Sequence, residues 1–224
     1  MRRFLFIVFC SLVFGIGSAH ADALNLSNIN GTWTNPVGGV NLTGVGTSVV
    51  TWGDGAAPDS GYTFGAGPNI NGVTLNTPVF LGTFTHNNQP IPSGTAISAI
   101  DFNLSFNTNG TPVLISAVFD FLHNETSNLT GTSPADDDIV TITTPIVNVS
   151  INQGTDWYFF NLLGFSKDGG ATFSNVYSSP EGGNNSAALY GRLTATAVPA
   201  PSSLFLMSTA LFGFAVNQWR RRRG

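Results

Sequence analysis

The chain has 224 residues, of which 9% are charged and 12% aromatic, with 26 glycines and 12 prolines. That much aromatic and β-branched material excludes a disordered chain, which needs low hydrophobicity and high charge, and the scarcity of Lys, Glu and Ala excludes an all-helical one. Residues 22–198 carry two basic against twelve acidic side chains, a net −10, which excludes nucleic acid and a strongly anionic membrane surface as partners of the folded part.

In chain order, residues 1–21 predict a secretory signal peptide. Arg2 and Arg3 precede an apolar run from Phe4 to Ile16, and Ser18-Ala19-His20-Ala21 supplies an A-x-A cleavage site. Cleavage is expected after Ala21, with Ala21-Asp22-Ala23 as a second site; retention of the run as a membrane anchor is the alternative. The sole cysteine, Cys10, leaves with this peptide. The mature chain then has no thiol for a disulfide, a nucleophile or a thiolate metal site.

Residues 22–197 read as one β domain. Its clearest strand runs from Ile100 to Phe106, where Ile100, Phe102, Leu104 and Phe106 alternate with Asp101, Asn103 and Ser105. A strict period of two places one face in the core and the other in water. Further strands are predicted at 48–52, 79–85, 113–122, 139–143, 146–151, 157–165 and 187–195. Turn signals stand between them at Gly53-Asp54-Gly55, Asn71-Gly72, Asn109-Gly110, Asp168-Gly169-Gly170 and Gly182-Gly183. Short strands with such turns predict an all-β fold, an antiparallel β-sandwich of jelly-roll type.

Within this domain Trp52-Gly53, the stretch from Phe80 to Ile91, Gly94-Thr95-Ala96-Ile97, Asp138 to Ile142, Leu163-Gly164-Phe165 and Leu189-Tyr190-Gly191 resemble the choice-of-anchor K domain. The resemblance covers most of residues 45–195. It implies an exported bacterial protein that ends in a surface-sorting signal, and it adds no chemistry.

Candidate chemistry is thin. His86, followed by Asn87-Asn88-Gln89-Pro90, reads as a turn histidine, because no nucleophile or carboxylate stands beside it in sequence. If the strand at 113–122 continues, Asp120 and His123 face opposite ways, and His123 and Glu125 read as solvated. Asp136, Asp137 and Asp138 form the one concentrated acidic site. They are the candidate ligands of a Ca²⁺ ion, which favours carboxylates presented by a loop; a solvated acidic loop is the alternative. Trp33, Trp52 and Trp157, with Tyr62, Tyr158, Tyr177 and Tyr190, either line the core or offer a sugar-stacking face, and Trp157-Tyr158-Phe159-Phe160 reads first as a buried strand.

The chain closes on three parts: Val198-Pro199-Ala200-Pro201, an apolar run from Leu204 to Trp219, and Arg220, Arg221, Arg222 and Arg223. The prolines keep the first part extended. The apolar run spans about 24 Å as a helix, with arginines held on the cytoplasmic side. Segment 198–224 resembles the PEP-CTERM sorting signal of Gram-negative bacteria, with Ala200 where the family pattern has Glu. The resemblance implies transient anchoring in the inner membrane, cleavage near Pro199 to Pro201 by an exosortase-type processing enzyme, and delivery to the cell surface or exopolysaccharide matrix. A C-terminal anchor that is never cut is the alternative.

Three function classes follow. The first is a non-enzymatic surface or matrix protein, in contact with extracellular polysaccharide. The second is a carbohydrate-binding module, which needs exposed coplanar aromatics. The third is a secreted hydrolase, which needs two facing carboxylates.

Overall fold

The computed structural model describes residues 24–56, 59–109, 114–126, 133–143, 149–153 and 156–195. The signal peptide expected at 1–21 and the sorting segment expected at 198–224 lie outside the described residues. The twelve strands in chain order are β1 (Leu24–Gly38), β2 (Val49–Trp52), β3 (Ser60–Ala66), β4 (Ile70–Val73), β5 (Pro78–Asn88), β6 (Ile97–Thr108), β7 (Leu114–Asn124), β8 (Asp138–Ile142), β9 (Val149–Gln153), β10 (Asp156–Ser166), β11 (Val176–Ser179) and β12 (Gly183–Ala195). The described residues contain no helix.

The strands form two six-stranded sheets, in the orders β11-β8-β7-β6-β1-β4 and β2-β3-β5-β12-β10-β9. Every strand pairing is antiparallel. Their inner faces share one core. Trp33 of β1 packs against Phe102 of β6 and Phe121 of β7 in its own sheet, at ring-centroid distances of 4.7 and 5.3 Å. It also meets Tyr62 of β3 and Phe84 of β5 in the other sheet, at 5.2 and 5.9 Å.

The alternation read over 100–106 is the alternation of β6: Phe102, Leu104 and Phe106 are fully buried, while Asp101, Asn103 and Ser105 turn outward. Burying such aromatics removes 150–250 Å² each from water, the dominant favourable term in a fold without cross-links. β1 carries no comparable sequence signal. Its register against β6 shifts between Ser27 and Asn30 and again between Thr34 and Val37, where Asn28 and Asn35 adopt positive φ. Asparagine tolerates that conformation, so the strand bulges twice and its apolar period is broken.

Asn71-Gly72, read as a turn between strands, lies inside β4, where Gly72 has φ +68°. The strand predicted at 146–151 is β9 from Val149 onward, and 146–148 lie outside the described residues.

Candidate functional site

At one end of the space between the sheets the inward positions stop being apolar. β5 carries Phe84 inward and, two and four residues on, His86 and Asn88. β7 runs inward through Phe119, Phe121 and His123, and β8 opens on Asp138 before Val140 and Ile142. The period of two that fills the core thus continues into a polar cluster. His86 and Asp138 are fully buried and His123 is 5% exposed. His86 belongs to the second sheet, His123 and Asp138 to the first.

Each imidazole is held by a hydroxyl from the opposite sheet. His86 Nδ1 is 2.9 Å from Ser179 Oγ of β11, and His123 Nδ1 is 2.6 Å from Tyr62 Oη of β3. The amide of Asn88 donates to the Ser179 carbonyl at 2.8 Å. The rings stand perpendicular, with centroids 5.3 Å apart. The indole of Trp52 stacks over His86 and meets His123 edge-on.

The Nε2 of His123 points to the carboxylates. His123 Nε2 lies 3.2 Å from Glu125 Oε2 and 3.7 Å from Asp138 Oδ2. Asp138 Oδ1 accepts from the Thr126 backbone N–H at 2.9 Å. His86 Nε2, Asp138 Oδ2 and Glu125 Oε1 are buried with no hydrogen-bond partner, a condition that buried polar groups rarely keep. Donor atoms of His86, His123 and Asp138 lie within 4.8 Å of one another, as do those of Glu125, Asp138 and Glu181.

Burial sets the protonation of this cluster. It holds His86 well below the usual imidazole range, reinforced by His123. It pushes His123 down to about 4 against the opposing pull of Asp138. Burial pushes Glu125 and Asp138 up to about 7, opposed by a hydrogen bond between the two carboxyls at Glu125 and by the Thr126 N–H at Asp138. Taking a charge out of water disfavours the charged form, so both imidazoles are neutral. No basic side chain offsets the carboxylates. Of the two lysine and arginine residues between 24 and 195, Lys167 lies over the Tyr177 ring at 4.6 Å, and Arg192 sits toward the far end of β12 from Gly183.

Only one of the three acids singled out in sequence joins this cluster. Asp136 and Asp137 are buried but fall in neither donor group among the described residues, and Asp137 accepts from Ser178 Oγ. The triplet is therefore not a solvated loop. His86 is not a turn residue and His123 is not solvated: β5 and β7 run on to Asn88 and Asn124 and carry both histidines inside, while Glu125, just beyond β7, is partly buried. Asp120 does face away from His123, as alternation requires.

A cleft of about 590 Å³ opens beside the cluster, lined by Ile97, Ser98, His123, Glu125 and Thr126 among others. It gives Glu125 a path to solvent while His86 stays sealed. The arrangement offers two imidazole nitrogens and the Asp138 carboxylate to a cation, with both rings aimed by hydroxyl partners.

The aromatics singled out in sequence are mostly core. Trp33, Trp52, Tyr62, Tyr158 and Tyr177 are buried. Tyr190 is half-buried between Phe80 and Phe173, with interplanar angles of 61° and 60°, so these rings are not coplanar. The Trp157 side chain lies outside the described residues. The chain matches no protein-family model and no curated protein.

Proposed function

We propose that the chain is an exported, non-enzymatic protein of the cell surface or exopolysaccharide matrix, processed at its C-terminal segment by an exosortase-type enzyme. The observation that carries this reading is the tripartite end: Val198-Pro199-Ala200-Pro201, the apolar run 204–219 and Arg220 to Arg223. Within that reading the fold is an antiparallel sandwich of jelly-roll type, because the chain passes between sheets repeatedly, as from β3 to β4 to β5 to β6.

The two other classes receive less support. A carbohydrate-binding platform stacks sugar on coplanar rings, and the half-buried Phe80 and Phe173 are each inclined by about 60° to Tyr190. A glycosidase sets its two carboxyls about 5–10 Å apart across a sugar. Glu125 and Asp138 instead place oxygens within 4.8 Å of each other and share a histidine.

Intact-mass measurement on the exported protein tests the reading. The expected mass lacks residues 1–21 and the tail beyond the Pro199–Pro201 motif, and replacement of Pro199 and Pro201 leaves the tail attached and the protein in the inner membrane. An exported form that retains 204–224 overturns it.

A further inference from the structure

We propose that His86, His123 and Asp138 bind one divalent transition-metal ion of the zinc type, which ties the two sheets together at their polar end. Two donors, each about 2.0–2.2 Å from a tetrahedral ion, stand roughly 3.4 Å apart. The separation from His123 Nε2 to Asp138 Oδ2, 3.7 Å, is close to that value. A ring nitrogen of His86 completes the set, with donor atoms of the three residues within 4.8 Å of one another.

Three further observations point the same way. His86 Nε2 and Asp138 Oδ2 belong to fully buried residues and have no hydrogen-bond partner, and a cation would supply one to both. Each ligating ring has its other nitrogen on a hydroxyl, Ser179 or Tyr62, the outer support that metal-bound histidines use to fix ring and tautomer. With Nδ1–H donating to that hydroxyl, each Nε2 keeps its lone pair for a cation.

The donor chemistry selects the ion. Calcium and magnesium take oxygen ligands, whereas imidazole suits Zn²⁺, Fe²⁺, Ni²⁺ and Cu²⁺. Three protein donors leave one position of a tetrahedral ion open on the side of the cleft. Because His86 comes from the second sheet and the other donors come from β7 and β8 of the first, the ion cross-links layers that share no disulfide. The cleft along Ile97, Glu125 and Thr126 is the way in.

The test uses the purified full chain, stripped with EDTA and then dialysed against Zn²⁺, Co²⁺, Ca²⁺ or Mg²⁺ at matched ionic strength. One Zn²⁺ per chain by elemental analysis is expected, with a melting temperature raised by several degrees at saturation. Co²⁺ is expected to give visible absorption bands of a four- or five-coordinate nitrogen–oxygen site. His86→Gln and Asp138→Asn should each weaken zinc binding about 100-fold or more, beyond the 10–100-fold typical of an outer-shell change. Asp168→Asn, whose hydrogen bonds all lie within residues 166–172, should leave it unchanged. Should the ligand variants fail to fold, the zinc stoichiometry and cobalt spectrum of the unaltered chain decide. Substoichiometric zinc, undiminished binding in both ligand variants, or equal stabilisation by Ca²⁺ or Mg²⁺ overturns the proposal.

Discussion

The middle and the polar end of the space between the sheets are built on the same backbone pattern and filled with opposite chemistry. In the middle, Trp33, Phe84, Phe102 and Phe121 stack across the layers, and dispersion and water exclusion hold them without directional requirements. At the end, two residues further along the same strands, Phe84 gives way to His86 and Phe121 to His123. There the polar contacts are directional: Tyr62 to His123, His86 to Ser179, Asn88 to Ser179, all from one sheet to the other. The apolar region stabilises by area. The polar region costs stability until each donor and acceptor is met.

Five substitutions sharpen this contrast. Phe102→Ala, in the middle, empties a fully buried site and should cost about 3–5 kcal/mol. The outward neighbour Asn103→Ala should cost far less, and equal denaturant midpoints for the two would show that β6 does not face the core as described. Gly31→Ala tests the same region by overfilling. A Cβ there would stand 2.4 Å from the Phe102 ring and 2.6 Å from Phe64, so a loss of about 1–3 kcal/mol is expected; an unchanged melting temperature would mean that the rings have room.

Tyr62→Phe probes the polar end while keeping the ring. It removes the hydroxyl at His123 Nδ1 and should cost about 1–2 kcal/mol, with zinc affinity reduced about tenfold through the lost ring support. A stabilising effect would mark the hydroxyl as poorly paired. The smallest effect is expected outside both regions, in the 166–172 loop. Asp168 accepts from Ser166 Oγ and from the Ala171 and Thr172 N–H groups at 2.8–3.1 Å, and from Thr172 Oγ1 at 2.6 Å. These bonds hold its carboxyl below the usual range. A depressed folded value means the contribution is present above the ordinary value of about 3.9 and is lost as pH falls below it. Asp168→Asn should therefore melt slightly lower at neutral pH, with the difference closing in acid; a pH-independent gap would contradict that origin.

The contrast also separates what was legible in the sequence from what was not. The alternation of Phe102, Leu104 and Phe106 announces β6 because apolar side chains at period two have one economical placement. His86 was hidden by its neighbours: Asn87-Asn88-Gln89-Pro90 carries turn residues, yet β5 runs through Asn88 with His86 and Asn88 both inward. The available signal was the continuation of period two from Phe84, and likewise from Phe119 and Phe121 into His123. β1 was hidden for another reason, the bulges at Asn28 and Asn35 that break its period. That residues 86, 123 and 138 meet could not be read from sequence at all, since their meeting depends on how the two sheets are superposed. The acid triplet drew attention by its density, whereas only Asp138 stands at an inward strand position beside the histidines.

Crystals of the zinc-loaded full chain, measured on either side of the zinc absorption edge, test the cross-link most directly. The expected result is one anomalous peak between the sheets, about 2.0–2.1 Å from both His86 Nε2 and His123 Nε2 and in contact with Asp138. No peak at that position, or zinc bound only elsewhere on the molecule, would contradict it and leave the polar end as a hydrogen-bonded cluster without a metal.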